Sequence, residues 1–125
     1  MKRALLQNVK VSPYTGGAAI DKNNFLSAIF AASVTTAGAL TLTVTHCDTA
    51  SGAFTPAADT RLEANVKGTK TTNGVISLTV TANSLVNVDI DLVGCKQFVK
   101  IAASGAAATG ATFAYALGDP AYAPV

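Results

Sequence analysis

The side chains able to do chemistry are few, and one short stretch holds three of them. His46-Cys47-Asp48 sets an imidazole, a thiol and a carboxylate side by side. A Ser-His-Asp or Cys-His mechanism needs its base within hydrogen-bond reach of the nucleophile, and His46 is the single histidine. On a strand, successive side chains point to opposite faces, so His46 and Cys47 cannot work as a dyad without a bulge. The trio also lacks a second pair of ligands at metal-binding spacing. Asp89 and Asp91 share one strand face at a separation close to that of glycosidase carboxylates. No aromatic platform for a sugar accompanies them, and Lys100 is the expected partner of Asp89. Gly16-Gly17 precedes no strand-to-helix signal and reads as a turn rather than a phosphate loop. The expectation is therefore no catalytic residue, no metal and no cofactor, with these side chains as solvated polar positions.

The elements around them read as strands. Val86, Val88, Ile90 and Leu92 alternate with Asn87, Asp89 and Asp91, the pattern of a strand with one dry face. Gly94-Cys95 suits a type II′ turn that pairs Val93 with Lys96 and runs on to Ala103. That register sets Ile90 opposite Val99, Val88 opposite Ile101 and Asp89 opposite Lys100. Phe98 is the misfit, landing on the Asp89/Asp91 face, where another segment or a partner must cover it.

Further along the chain, a first short strand is expected over residues 4–11, with Leu6 or Val9 and Val11 facing inward. Ser12 to Gly17 breaks it. Phe25–Val34 fits helical spacing with an Asn cap, and fits alternation as well; strand is favoured, with a hairpin through Thr35-Thr36-Ala37-Gly38 into Leu40–His46. Leu40, Leu42 and Val44 face one way there, and Thr41, Thr43 and Thr45 the other. Phe54 should tuck back onto the sheet from its polar loop. Arg61–Val66 is a weak strand, Lys67–Gly74 a long turn, and Ile76, Leu78 and Val80 the dry side of another strand. Ser104–Gly110 reads as a flexible linker. Thr112–Leu117 is a strand, and the prolines of Gly118–Val125 argue for a tail outside the sheet. About eight strands with turns between them point to an all-β antiparallel sandwich of jelly-roll type. The division expected is an N-terminal arm and first strand (1–24), a sandwich (25–117) and a C-terminal tail (118–125).

Composition limits the function classes. The 125 residues are 50% hydrophobic and 13% charged, enough for one domain with a core. Much of the apolar share is Ala, which favours thin, closely packed sheets. A net charge of +2 is too weak to argue for nucleic acid or an anionic membrane. The uncharged run Asn23–Cys47 is long enough to span a bilayer, but its Thr/Val alternation favours sheet. Two cysteines make no disulfide framework, so Cys47 and Cys95 are expected as free thiols, consistent with synthesis in a reducing cytoplasm. A low-charge, Thr/Ala/Val-rich surface suggests an exterior covered by other subunits.

Three stretches together carry a resemblance. They are L-T-L-T-V-T-H-C-D…S-G-A-F-T-P-A (Leu40–Ala57), D-L-V-G-C-K-Q-F-V-K-I (Asp91–Ile101) and A-L-G-D-P-A-Y-A-P-V (Ala116–Val125). Their order resembles small head decoration, or cement, proteins of tailed bacteriophages, with Cys47-Asp48 where Ser-Asp or Asp-Asp is more usual and Phe98 where Tyr is common. The resemblance implies a jelly-roll-like sandwich on the outer capsid surface of the virion, made in the host cytoplasm. Its partners would be the major capsid protein and further copies of itself, as a dimer or trimer at a local symmetry axis. The expected contacts are the chain ends: Lys2, Arg3 and Lys10, then Asp119, Tyr122 and Pro124, with Tyr14 and Phe98 as further aromatic candidates. The rival readings are a virion adhesin or carbohydrate-binding module, and a tail or baseplate subunit.

Overall fold

The protein is described by a computed structural model that covers residues 10–15, 17–22, 25–58, 60–71 and 74–120. Lys2, Arg3, Tyr122 and Pro124 lie outside these residues. Along the chain run β1 (Lys10–Tyr14), β2 (Ile20–Asp21), β3 (Phe25–Val34), β4 (Gly38–Cys47), β5 (Thr55–Pro56) and β6 (Leu62–Ala64). They are followed by β7 (Gly68–Thr71), β8 (Val75–Val80), β9 (Ser84–Asp91), β10 (Phe98–Ser104), a 3-10 turn (Ala106–Ala108) and β11 (Thr112–Pro120).

Two antiparallel sheets result. The first has the order β1-β11-β3-β9-β6, and the second β2-β10-β4-β8-β7 with β5 added on β4. Leaving aside the short strands β5, β6 and β7, the pairs are nested. β1 pairs with β11, β2 with β10, β3 with β9, and β4 with β8. Successive nested pairs alternate between the sheets. That is one long hairpin wound into two layers, the jelly roll.

The winding overturns the expected local hairpins. β9 and β10 lie in opposite sheets: β9 pairs with β3 and β6, and β10 with β2 and β4. Val88 and Ile90 do share a core with Val99 and Ile101, but across it rather than side by side. Gly94 takes φ 87° as the second central residue of a turn closed by the Cys95 N–H on the Leu92 carbonyl (3.0 Å). A type II turn puts its positive φ there, whereas a II′ hairpin puts it at the first central position. The Lys22 ammonium holds this crossing by donating to the carbonyls of Leu92 and Cys95. β3 and β4 part in the same way, so Thr35-Thr36-Ala37 crosses between layers instead of closing a hairpin.

Inside, the alternation holds. Phe30, Val34, Leu40, Leu42, Val44, Ile76, Val86 and Val88 are all but inaccessible. A gap of about 10 Å³ between the layers, beside Ile20, Ala28 and Leu117, is no larger than one water. Three further expectations are corrected. Val11 is 69% exposed and Tyr14 is buried, because β1 continues through Pro13 and presents Tyr14 to the core. Pro13 is tolerated because β1 is an edge strand. Gly68–Thr71 is a strand paired with β8 rather than part of a turn. Ser104–Gly110 contains a 3-10 turn whose Ala107 is fully buried. The tail boundary also moves, since β11 extends to Pro120 opposite Phe25. The sandwich thus takes in β1 and β2 at one end of the chain and Gly118–Pro120 at the other.

Candidate functional site

The reactive groups named from the sequence do not converge. The Nδ1 of His46 accepts the Lys96 backbone N–H at 3.2 Å. Cys47 turns instead toward Thr49, with Sγ 3.8 Å from Oγ1. The backbone N–H of Thr49 holds the Cys47 thiol below its usual pKa, against a smaller desolvation effect. Both cysteines are free, and the buried Cys95 Sγ lies 3.1 Å from the Thr60 hydroxyl. Among the described residues, no three His, Cys, Asp or Glu side chains could hold a metal ion.

Asp89 and Lys100 sit on opposite outer faces of the sandwich, so the expected ion pair does not form. Asp91 instead meets Arg61 at 3.2 Å and accepts the Val93 N–H at 3.0 Å. Lys100 lies over the Phe54 ring, 4.2 Å from its centroid. That cation–π contact is what tucks Phe54 onto the sheet.

Tyr14 is the clearest correction among the proposed contacts. Its ring packs edge-on against Phe30 (5.6 Å) and Tyr115 (5.8 Å). Its hydroxyl donates to the Ala18 carbonyl (2.7 Å) and accepts the Ile101 N–H (3.1 Å). β2 meets β10 at Asp21–Phe98 and Ile20–Val99, and two register steps further on Ala18 and Ile101 are joined through this hydroxyl. Tyr14 ties one sheet to the other and is not a surface contact. Burial, the largest influence, pushes its pKa above the usual 10.0.

Phe98 is half-buried on the outer face of the second sheet, between Asp21 and Cys47 in register. Lys10 opens β1 opposite Leu117, and Asp119 lies near the end of β11. β1 therefore begins, and β11 finishes, at the same end of the first sheet.

The two outer faces differ. On the first sheet, Val11, Ala116 and Ile29 make one row across β1, β11 and β3, and Pro13, Ala114 and Ala31 make the next. Leu85 adjoins them on β9 beside Ser33. Val11 and Leu85 are each 69% exposed and Ile29 46%. The same rows turn polar on β9 and β6, where Asp89, Asp91, Glu63 and Arg61 line an open groove of about 630 Å³. On the second sheet the outward positions of β4 and β8 are mainly Thr41, Thr43, Thr45, Ser77 and Thr79, with Ala39, Cys47 and Val75 toward the strand ends, and β10 adds Phe98, Lys100 and Ala102. The sequence had placed Val11 inside, which hid the first row. The signal that could have found it is Tyr14, whose bulk claims the inward parity of β1.

Among the described residues, no helix is long and apolar enough to cross a membrane. No protein-family model, curated protein or solved structure matches this chain.

Proposed function

We propose that the chain is a non-enzymatic structural protein of a tailed-phage virion, a head decoration protein that binds the outside of the major capsid protein shell. The observation that carries this reading is the jelly-roll winding, in which nested pairs β1·β11 to β4·β8 enclose the core between two sheets. Viral coat proteins use that winding widely. The reading is supported by the resemblance of Leu40–Ala57, Asp91–Ile101 and Ala116–Val125 to cement proteins.

The mechanism is linkage. A protein that binds the mature lattice and not its disassembled state stabilises the lattice by mass action. Modest contacts repeated over many copies add through multivalency. β1 begins at Lys10 and β11 finishes at Pro120 at the same end of the first sheet, and the reading assigns the capsid contacts to the sequence around them, Lys2, Arg3 and Lys10 at one terminus and Tyr122 and Pro124 at the other.

Co-sedimentation with emptied heads tests the reading. Binding is expected for the full chain, and removal of Ala121–Val125 should reduce occupancy while leaving the fold intact. The cut must spare Gly118–Pro120, which pair with β3. No binding to heads sinks the reading. Jelly rolls also serve as lectins, so hits on a glycan array would favour an adhesin, and density at the baseplate would favour a tail subunit.

A further inference from the structure

We propose that His46 is a pH-sensitive latch on the β9–β10 crossing, holding the Cys95–Lys96 peptide only while its imidazole is neutral. The proposal goes beyond the decoration reading and does not rest on it. Its basis is one peptide unit gripped at both ends. The Cys95 carbonyl accepts from the Lys22 ammonium. The Lys96 N–H of the same unit donates to Nδ1 of His46 at 3.2 Å. A ring nitrogen that accepts a backbone N–H carries no proton, so the neutral ring holds its hydrogen on Nε2. His46 is the single histidine, and imidazole is the side chain that ordinarily changes charge between about pH 5 and 8.

Protonation turns this contact from attraction to repulsion. An imidazolium donates from both nitrogens, so its Nδ1–H meets the Lys96 N–H donor to donor. The positive end of the peptide dipole lies there, while Lys22 sits at the negative end. Charges on the surrounding elements do not reverse the sign. Lys96 and Lys22 on the crossing, and Lys100 on β10, are cationic. Among the carboxylates, Asp48 lies 3.9 Å from the Lys96 ammonium, Asp91 pairs with Arg61, and Asp21 accepts from the Gln97 side chain. The residues paired with His46 itself, Val99 on β10 and Thr55 on β5, carry no charge. Two further ties on the crossing are backbone bonds indifferent to pH, Cys95 N–H to the Leu92 carbonyl (3.0 Å) and Lys22 N–H to the Gln97 carbonyl (3.1 Å). The crossing thus stays attached at Leu92 and Gln97 while the Lys96 amide between them turns to water. The bond lies at the surface, so its loss is a local opening just before Phe98 and not unfolding.

Nuclear magnetic resonance of the full chain tests this. At about pH 8 the His46 ring nitrogens should report a proton on Nε2 and none on Nδ1. Titration of the ring toward about pH 5 should lower the protection of the Lys96 amide against solvent exchange. After correction for the intrinsic pH dependence of exchange, the fall should be roughly three- to tenfold, the factor one hydrogen bond is worth. The Cys95 and Ile101 amides, held by the Leu92 carbonyl and the Tyr14 hydroxyl, should keep their protection. His46→Asn sets an Oδ1 in place of Nδ1, an acceptor that does not titrate, and should protect the Lys96 amide equally across the range. His46→Ala should leave it unprotected throughout. Circular dichroism of each variant confirms folding. A native ring that carries its proton on Nδ1 overturns the proposal, as does Lys96 protection that ignores the ring's titration. A pH-dependent loss that persists in folded His46→Asn overturns it too, because another group then controls the crossing.

Discussion

The two outer faces of the sandwich are built by the same alternation and finished differently. Outward positions in the middle of β4 and β8 are Thr41, Thr43, Thr45, Ser77 and Thr79, with Ala39, Cys47 and Val75 toward the strand ends. Those in the middle of β1, β11 and β3 are Val11, Pro13, Ala114, Ala116, Ile29 and Ala31, with Ser27, Ser33 and Thr112 toward the strand ends. Threonine suits an exposed strand on both counts, since its β-branch favours the extended backbone and its hydroxyl meets water. Alanine offers neither advantage. The threonine face is at home in solvent, whereas the alanine face leaves Val11, Ile29 and Leu85 exposed. The difference teaches that inward stripes build the fold, while the outward residues are free to leave one face polar and part of the other apolar.

The largest effects should come from the inner faces, where the two sheets must behave alike if the contrast is confined to their exteriors. Phe30→Ala in β3 should cost about 3–5 kcal/mol, and Leu42→Ala in β4 about 2–5 kcal/mol. Both residues are almost fully buried, and urea unfolding would measure both. A first-sheet core that tolerated Phe30→Ala would show that this sheet is loosely held.

Next is the tie between the sheets. Tyr14→Phe leaves the Ile101 N–H without the hydroxyl that now accepts it, at a cost of about 1–3 kcal/mol. The pH dependence has a defined sign. Burial raises the Tyr14 pKa in the folded state, so its contribution is fully present below the ordinary value of 10.0. It is lost as pH rises through the higher folded value. Tyr14→Phe should therefore flatten the alkaline side of the stability curve, read by melting temperature against pH.

Smaller still is the reciprocal exchange of outward residues. Ile29→Thr and Thr43→Ile should each change stability by no more than about 0.5 kcal/mol. Urea unfolding reads both, and a larger loss from either would show that its outward side chain builds the fold and not only the face.

Much of the architecture was legible in particular residues. The dry stripes Val86–Leu92, Leu40–Val44 and Ile76–Val80 were correctly read, because period-two alternation reports directly which side of a strand is buried. Pairing was not legible. Val88 and Ile90 demand a shared core with Val99 and Ile101, and that demand is met equally by neighbours in one sheet and by strands facing across two. The nested winding satisfies it at long range, joining β1 to β11, and no local turn signal reports that choice. Tyr14 was lost among the turn signals of Ser12-Pro13 and Gly16-Gly17, although an edge strand accommodates Pro13. Ala106–Ala108 looked like linker because small residues also serve where chains pass closely: a Cβ on Gly105 would lie 2.3 Å from the Ala39 carbonyl oxygen. The apolar face was missed with Val11, whose exposed side the sequence reading had turned inward.

The smallest expected effect is a chemical one on the threonine face. Cys47 ends β4 there beside Phe98, partly exposed, and the Thr49 N–H favours its thiolate. Cys95 is buried against Thr60. Iodoacetamide near neutral pH should thus alkylate native Cys47 and spare Cys95 until the chain unfolds, which intact mass would read directly. The label adds bulk to the second sheet's exterior and none to the core, so the labelled chain should melt at the temperature of the unlabelled one. A clear drop on labelling would show this end of the threonine face to be packed rather than solvated. The contrast between the two exteriors would then narrow to the middle of β4 and β8.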